Sequence, residues 1–375
     1  MIYLDYAANA PVDKEVLDVF NEATIKYFAN PNSTHRLGLE AKEAIDRATK
    51  NIARNLGIKE NEIIYTSGAS ESNNLVIQGI CNRYKSRGKH IITSKLEHNS
   101  IVSPAQVMQS LGFEVDLVSV NKDGIVDIEE LKSLIREDTI LVSITSVDSE
   151  LGIRQPIEEI GELLKEYPNT FFHTDASQII GKDNIDFTNV DLVTIAPHKF
   201  YGINGFGMLI KKENVSLVPI IYGGKSTTIY RSGTPVTASV IALDKALDLA
   251  INNLDKRKEY IHNLHDIVIE NLKKIDNVVI NSTPNSIPNT INFSVKGVIS
   301  SDFVKMLGEK EVYISSKTSC CPENTPSKNI YALTNDKSLA LSSMRISLSH
   351  LTTKEEIEEF FKIFKETLGE YNGKK

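Results

Sequence analysis

The chain is poor in cysteine and has no long apolar run. Its 375 residues include three cysteines, Cys81, Cys320 and Cys321, too few for a disulfide framework, so a reducing compartment is expected. No apolar segment approaches the roughly 18 residues that a membrane-spanning helix needs. The start, MIYLDYAANAP, lacks the cationic and apolar regions of a secretory signal. These absences predict a cytoplasmic protein without membrane association.

An excess of positive charge is also lacking. The chain has 42 Lys and Arg residues against 49 Asp and Glu residues, a net charge of -7. Proteins that bind nucleic acid present a basic face, so no nucleic-acid partner is expected. The composition, 41% hydrophobic and 24% charged, is that of an ordinary globular protein.

Short β-rich runs alternate with helical patterns through the first two thirds of the chain. This alternation predicts a mostly parallel sheet with helices on both faces. The predicted strands are EIIYT, HIITS, EVDLVSV, TILVSITSV, TFFHTD, DLVTIA and GMLIK. Helical patterns include residues 40–57, 71–84, 128–135 and 157–167.

The pattern changes after Pro235. A helical stretch covers residues 238–274, followed by the strand candidates NVVIN, TINFSV, EVYIS and MRISLS and the amphipathic helix TKEEIEEFFKIFKETL. We therefore predict an α/β fold: a large domain over residues 12–250, and a smaller α+β domain made of residues 1–11 and 251–375. Residues 317–341 show no clear periodicity, which is typical of a functional or mobile loop.

Polar residues follow several predicted strands, at the edge where parallel sheets bind ligands. The run SGASES, residues 67–72, opens a helix whose free N–H groups suit an anion, although an ordinary helix cap is the simpler explanation. His98 follows the next strand, and a lone histidine is usually structural. Asp175 ends a buried strand, where it is either paired with a ligand or a helix cap.

Lys199 stands where the buried strand DLVTIA opens into a glycine-rich loop. A lysine alone is usually a surface residue. At one sheet edge, however, an amine, a carboxylate, an aromatic ring and a phosphate-binding turn together indicate pyridoxal phosphate. The amine condenses with the aldehyde of the cofactor, and the carboxylate pairs with its ring nitrogen.

Ten segments resemble the cysteine desulfurases, enzymes of the class V aminotransferase group with the fold type I architecture of pyridoxal phosphate enzymes. They occur in family order from Tyr3 to Phe360, so the resemblance covers nearly the whole chain. The segments are YLDYAANAPV, NPNSTHRLG, IIYTSGASESNNL, EHNSI, ELGIRQP, HTDASQIIGK, APHKFYG, RSGTP, SSKTSCCPEN and MRISLSHLTTKEEIEEF.

The resemblance implies a set of cofactor contacts. Lys199 is the lysine that binds the aldehyde, and His98 stacks on the pyridine ring and moves protons. Asp175 pairs with the ring nitrogen and Gln178 with the ring hydroxyl. The phosphate is expected to be held by three residues, which are Ala69, Ser70 and His198.

The resemblance also implies a partner subunit and a substrate site. Thr234 matches a phosphate contact that the family donates from the other subunit, so a homodimer is expected. Arg345 matches the residue that binds the carboxylate of the substrate, a task suited to the planar guanidinium. The substrate would be L-cysteine, and a sulfur acceptor or an iron–sulfur scaffold protein would be a further partner.

Cys320 occupies the position of the family's nucleophile. Its thiolate would attack the sulfur of the bound cysteine, leaving a persulfide on Cys320 and releasing alanine; Lys317 is a candidate for the positive field that a thiolate needs. Alternatively, the adjacent cysteines are incidental or bind metal, but two ligands make a poor metal site and no metal is expected. Cys321 either receives the persulfide or is a spectator. Cys81, in a helical pattern, is expected to be a buried apolar residue.

The chain departs from the family pattern near the expected site. Asp148-Ser149-Glu150 replaces Asn-Asn-Glu, and Ala196 replaces a serine, for which Thr194 would substitute only if it faced the site. Residues 223–228, GGKSTT, and residues 8–11, ANAP, also differ, and the usual glycine three residues before the nucleophile is missing. These departures leave two alternatives open: a related aminotransferase or lyase, including a selenocysteine lyase, acting on another amino acid, or a non-catalytic relative.

Overall fold

The computed structural model describes residues 1–224, 226–317 and 325–373. The helices are α1 (Lys14–Lys26), α2 (Arg36–Leu56), α3 (Ala69–Tyr84), α4 (Asn99–Ser110), α5 (Ile128–Leu134), α6 (Ile157–Leu164), α7 (Thr237–Asn252), α8 (Leu254–Leu272), α9 (Ser300–Glu309), α10 (Lys328–Thr334), α11 (Lys337–Ser342) and α12 (Lys354–Gly373). The strands are β1 (Ile2–Tyr3), β2 (Ile63–Thr66), β3 (His90–Ser94), β4 (Glu114–Val118), β5 (Thr139–Ser143), β6 (Phe171–Asp175), β7 (Leu192–Ile195), β8 (Gly207–Lys211), β9 (Val278–Ile280), β10 (Thr290–Val295), β11 (Val312–Tyr313) and β12 (Ser343–Ser347). No helix in these ranges is long and apolar enough to cross a bilayer.

A seven-stranded sheet organises the larger part of the molecule. Its strand order is β2-β8-β7-β6-β5-β3-β4, and β8 pairs antiparallel with both of its neighbours while the other pairs are parallel. The predicted α/β fold with a mostly parallel sheet is therefore confirmed. The carboxyl ends of β2, β3, β5, β6 and β7 meet at one edge, where β8 begins.

Apolar residues cover both faces of this sheet, because successive side chains of a strand point to opposite faces. Leu192 of β7 packs into one buried cluster, and Val193 packs into another. Strands covered on both faces read as continuous apolar runs, which explains why β7 was visible in the sequence.

Smaller sheets are built from the two ends of the chain. Strands β12, β10 and β9 form an antiparallel sheet, and β1 pairs in parallel with β11. A separate apolar cluster combines Ile2 and Leu4 with residues between Ile261 and Tyr371. This clustering agrees with the proposed division into residues 12–250 and residues 1–11 with 251–375, which stays a prediction.

The helix predicted over residues 238–274 is divided at Asn253. Helix α7 ends at Asn252 and α8 begins at Leu254, while the Asn253 side chain donates to the carbonyl of Leu249 at 2.9 Å. Buried residues of α7 join the core of the large sheet, whereas those of α8 join the cluster of the smaller sheets. The helix breaks at Asn253 because the residues before and after it pack into different cores. No proline or glycine at this position indicates the break in the sequence.

Residues 317–341 also contain more regular structure than expected. Helices α10 and α11 lie there, with seven and six residues, and are capped by the side chains of Ser327 and Asp336. At 3.6 residues per turn, both helices have fewer than two turns, so their sequences show almost no periodic apolar pattern. Residues 318–324, which include Cys320 and Cys321, lie outside the described residues.

Candidate active site

A cavity of about 540 Å³ lies at the edge where the parallel strands end. Its walls come from the segments that follow β2, β3, β5, β6 and β7, together with the segment that precedes β8. Arg345 of β12 closes it from the smaller sheet. The residues predicted from the sequence that line it are Ala69, Ser70, His98, Asp175, Gln178, His198, Lys199 and Arg345.

Lys199 is the last residue of a short turn, Pro197–Lys199, directly after β7. Its Nζ donates to the carbonyl oxygens of Ala7 at 2.9 Å and Ala8 at 2.5 Å. Burial and then the positive charge of Arg345 lower the pKa of Lys199 to about 8, although Asp5 and Asp175 act in the opposite direction. The amine is therefore closer to its neutral, nucleophilic form than an ordinary lysine.

Asp175 ends β6, and its carboxylate is held by two donors. Its Oδ1 accepts from the backbone N–H of Ser177 at 2.9 Å, and its Oδ2 accepts from Nδ2 of Asn73 at 2.8 Å. The same Nδ2 donates to Oγ of Ser100 at 2.8 Å. The fully buried Asn73 thus fixes the carboxylate and connects it to α4. The sequence analysis missed Asn73. The available signal was its position four residues after Ala69, on the same face of the helix.

His98 caps the start of α4 through its ring. Its Nδ1 accepts from the backbone N–H of Ser100 at 3.1 Å and lies 2.8 Å from Oγ of the same residue. An Nδ1 that accepts leaves the proton of the neutral ring on Nε2. Burial lowers the pKa of His98, and the charge of Lys199 adds to this, so the neutral form is favoured.

The amino end of α3 forms another corner of the cavity. The residue before the helix is Gly68, and no side chain caps the first turn, so the N–H groups of Ala69 and Ser70 suit an anion. Gly207 allows this turn to approach β8, because a Cβ there would lie 2.5 Å from Cα of Gly68. The nearby His198 is half-buried, and burial together with the charges of Lys199 and Lys182 lowers its pKa to about 4.

Thr194 does not supply the hydroxyl that Ala196 lacks. Its Oγ1 lies 3.1 Å from Nε2 of His173 inside the sheet, and Ala196 but not Thr194 lines the cavity. Ser149 lines the cavity as well, and its backbone carbonyl is used by Arg345.

Arg345 is 2% exposed and is held on two sides. One terminal nitrogen donates to the carbonyl of Ser149 at 2.6 Å, and the other forms an ion pair with Asp5 at 2.6 Å. Its Nε is buried with no hydrogen-bond partner among the described residues. Asp5 was missed in the sequence, since 340 residues separate it from Arg345 and no local pattern links them.

Two predicted residues, Thr234 and Cys81, lie apart from this group. Thr234 is exposed and borders a neighbouring hollow with Ser67 and Gly205 instead of the main cavity. Cys320 lies outside the described residues, whereas the preceding Lys317 donates to the Thr325 carbonyl at 2.8 Å. Cys81 is buried as predicted, and burial raises the pKa of its thiol to about 12.

Comparison with known proteins identifies the group to which this architecture belongs. Residues 2–360 match the family model described as aminotransferase class-V. A cysteine desulfurase IscS of Dictyoglomus turgidum is 39% identical over 361 residues, which are 95% of this chain and 91% of that protein. The human cysteine desulfurase is 36% identical over 365 residues, 95% of this chain and 79% of that protein.

The chain belongs to the cysteine desulfurase family of class V aminotransferases. A crystal structure of a NifS-like protein from Rickettsia africae has the same fold, with a TM-score of 0.88 and 30% identity over 98% of this chain and 99% of that one. Enzymes of this family depend on pyridoxal phosphate. The predictions of family, fold and cofactor made from the sequence are thus confirmed.

The cavity of this desulfurase fits that cofactor chemically. It combines a carboxylate for the ring nitrogen, an uncapped helix start for the phosphate and an amine for the aldehyde. Oγ of Ser177, like Nε of Arg345, is buried with no partner among the described residues and belongs to a residue that lines the cavity. A polar ligand would meet donors that are otherwise unsatisfied.

Proposed function

We propose that this chain removes sulfur from L-cysteine, giving L-alanine and a persulfide on Cys320. The observation that carries the proposal is one cavity shared by the Lys199 amine, the Asp175 carboxylate and the Arg345 guanidinium. When bound, pyridoxal phosphate supplies an electron-withdrawing ring that weakens the bonds at the α-carbon of the substrate. The chain itself supplies orientation, charge and proton transfer.

Asp175 keeps the ring electron-withdrawing, since its carboxylate stabilises a protonated ring nitrogen. Asn73 and the backbone of Ser177 hold that carboxylate in place. His98 would cover one face of the ring with a neutral imidazole, oriented by Ser100. The amine of Lys199, with its pKa near 8, is suited to take and return a proton at neutral pH.

Arg345 would bind the carboxylate of the substrate. Its buried Nε has no partner among the described residues, and Asp5 and Ser149 hold the two terminal nitrogens of the guanidinium. A guanidinium held in this way binds a planar carboxylate with little further loss of side-chain entropy. This contact would select amino acids over simple thiols.

Cys320 would take the sulfur. Its thiolate forms an S–S bond with the substrate sulfur while the Cβ–S bond breaks, the electron pair stays with carbon, and carbon takes up a proton to leave as alanine. The support is the position of Cys320 in the family motif, because the residue lies outside the described ranges.

We also propose a homodimer in which Thr234 contacts the phosphate in the partner's cavity. Thr234 is exposed, and the same segment exposes Tyr222, Ile229 and Val236, an apolar group that a partner subunit would cover. A sulfur acceptor, such as an iron–sulfur scaffold protein, and a reducing cytoplasmic location belong to the same proposal.

Persulfide mapping tests the proposed reaction. The full-length protein, loaded with pyridoxal phosphate, is incubated with L-cysteine, alanine is quantified, and sulfur-modified peptides are located by mass spectrometry. We expect alanine and a persulfide on Cys320, with Cys320→Ala inactive and Cys81→Ala active as the matched control.

Two results would contradict the proposal. If Cys320→Ala produced alanine as fast as the wild type, Cys320 would not be the nucleophile. Alanine production no faster than with free cofactor would favour the non-catalytic alternative, and L-selenocysteine assayed in parallel distinguishes a selenocysteine lyase.

A further inference from the structure

A second lysine lies close behind the cavity. Nζ of Lys182 donates to Oε1 of Gln178 at 2.6 Å, and Nε2 of Gln178 donates to the carbonyl of Ala7 at 2.9 Å. The same carbonyl accepts from Nζ of Lys199. One side-chain amide therefore stands between two lysines.

These contacts leave a single orientation for the Gln178 amide. A lysine ammonium only donates, so the atom that faces Lys182 is the amide oxygen. A backbone carbonyl only accepts, so the atom that faces Ala7 is the amide nitrogen. Both assignments agree, and together they disfavour the flipped amide.

The position of Lys182 is otherwise unfavourable. Burial and the positive charges of Lys199 and Arg345 lower its pKa to about 7. An amine carries N–H groups in either protonation state, so donation to Gln178 does not require the charge, but only the ammonium form opposes the flipped amide. Lys182 also borders a small cavity of about 10 Å³, roughly the space of one water molecule.

We propose that Lys182 is a positioning residue that locks the Gln178 amide, so that its N–H group and not its carbonyl serves the cofactor. This inference rests on the proposed function and on the contact that the family resemblance implies, in which Gln178 donates to the ring oxygen of pyridoxal phosphate. Without Lys182 only the Ala7 carbonyl would oppose the flipped amide, which presents an oxygen to an oxygen.

A double-mutant cycle tests whether Lys182 acts through Gln178. Full-length holoenzymes of the wild type, Lys182→Met, Gln178→Ala and the double variant are prepared, and the dissociation constant of pyridoxal phosphate is measured by ultrafiltration and visible absorbance. Lys211→Met is the control, because Lys211 is buried and, like Lys182, donates to an oxygen, here the Val215 carbonyl at 2.8 Å, but does not line the cavity.

We expect Lys182→Met to bind the cofactor about three- to tenfold more weakly, the value of one net hydrogen bond. In the Gln178→Ala background the same change should cost less than about twofold. The pH midpoint of the visible band should rise in Lys182→Met, because losing an N–H donor disfavours the anionic ring oxygen. Lys211→Met should bind like the wild type.

An equal loss in both backgrounds, or no loss in either, would overturn the proposal. If Lys182→Met does not fold, Gln178→Glu decides, since it keeps a partner for Lys182 but has no N–H to donate; unchanged affinity in that variant contradicts the inference. A wild type that binds no cofactor refutes the proposed function instead, which keeps the two failures distinct.

Discussion

The lowered pKa of Lys199 predicts how fast the protein captures its cofactor at each pH. Only the neutral amine attacks an aldehyde. Burial first, and then the charge of Arg345, bring the pKa from 10.5 to about 8. We therefore expect the rate of pyridoxal phosphate capture by cofactor-depleted protein to rise with pH through a midpoint near 8.

The size of the effect follows from the two pKa values. With a pKa of about 8, about one Lys199 amine in ten is neutral at pH 7, against about three in ten thousand for a pKa of 10.5, a roughly 300-fold gain. Arg345→Met removes the neighbouring charge that lowers the pKa most, so the midpoint should move upward and the rate at pH 7 should fall.

Stopped-flow absorbance measures this rate between pH 6 and pH 10, roughly two pH units on either side of the expected midpoint. Lys199→Ala gives the background from surface amines, and the titration of free cofactor is recorded separately. A midpoint at or above 10 would refute the argument that burial activates this amine. An unchanged midpoint in Arg345→Met would refute only the claim that the charge of Arg345 lowers the pKa of Lys199.

Three further changes have defined outcomes. Asp5→Asn removes the ion pair of Arg345, so steady-state kinetics should show KM for cysteine rising about tenfold with a smaller change in kcat. Gly207→Ala pushes Gly68 away from β8, so cofactor titration should show weakened binding in a folded protein. Asp148→Ala removes acceptors from three backbone N–H groups and should cost about 3 kcal/mol in denaturant unfolding, whereas Asp148→Asn should cost about half as much.

Each of these outcomes has a clear contrary result. An unchanged KM in Asp5→Asn would mean that Arg345 needs no partner, and normal cofactor affinity in Gly207→Ala would mean that the turn does not depend on close approach. Equal unfolding midpoints for the wild type and Asp148→Ala would mean that the buried carboxylate is not a structural acceptor.

The parts of the site that were predictable are those carried by local sequence. Asp175 ends β6 and Lys199 follows β7, two strands that are buried throughout, so their placement at one sheet edge followed from the parallel arrangement. The anion-binding start of α3 was also predictable from local sequence, since small residues follow β2 directly.

The parts that were not predictable depend on contacts between distant segments. Asp5 meets Arg345 across 340 residues. The break at Asn253 was also hidden, because it results from packing α7 and α8 against different cores. Local propensity carries no information about such contacts.

The departures from the family pattern are compatible with this site because of how the replaced residues act. Ser149 serves Arg345 through its backbone carbonyl, which any side chain leaves intact. Asp148 uses both carboxylate oxygens: Oδ1 accepts from Glu150, Leu151 and Asn329, while Oδ2 accepts from Ile153. An asparagine in the same pose would turn its NH₂ group toward the Ile153 N–H, donor against donor, so the carboxylate suits this loop better. Since that loop also presents the Ser149 carbonyl to Arg345, the substitution at position 148 preserves the carboxylate-binding corner instead of dismantling it.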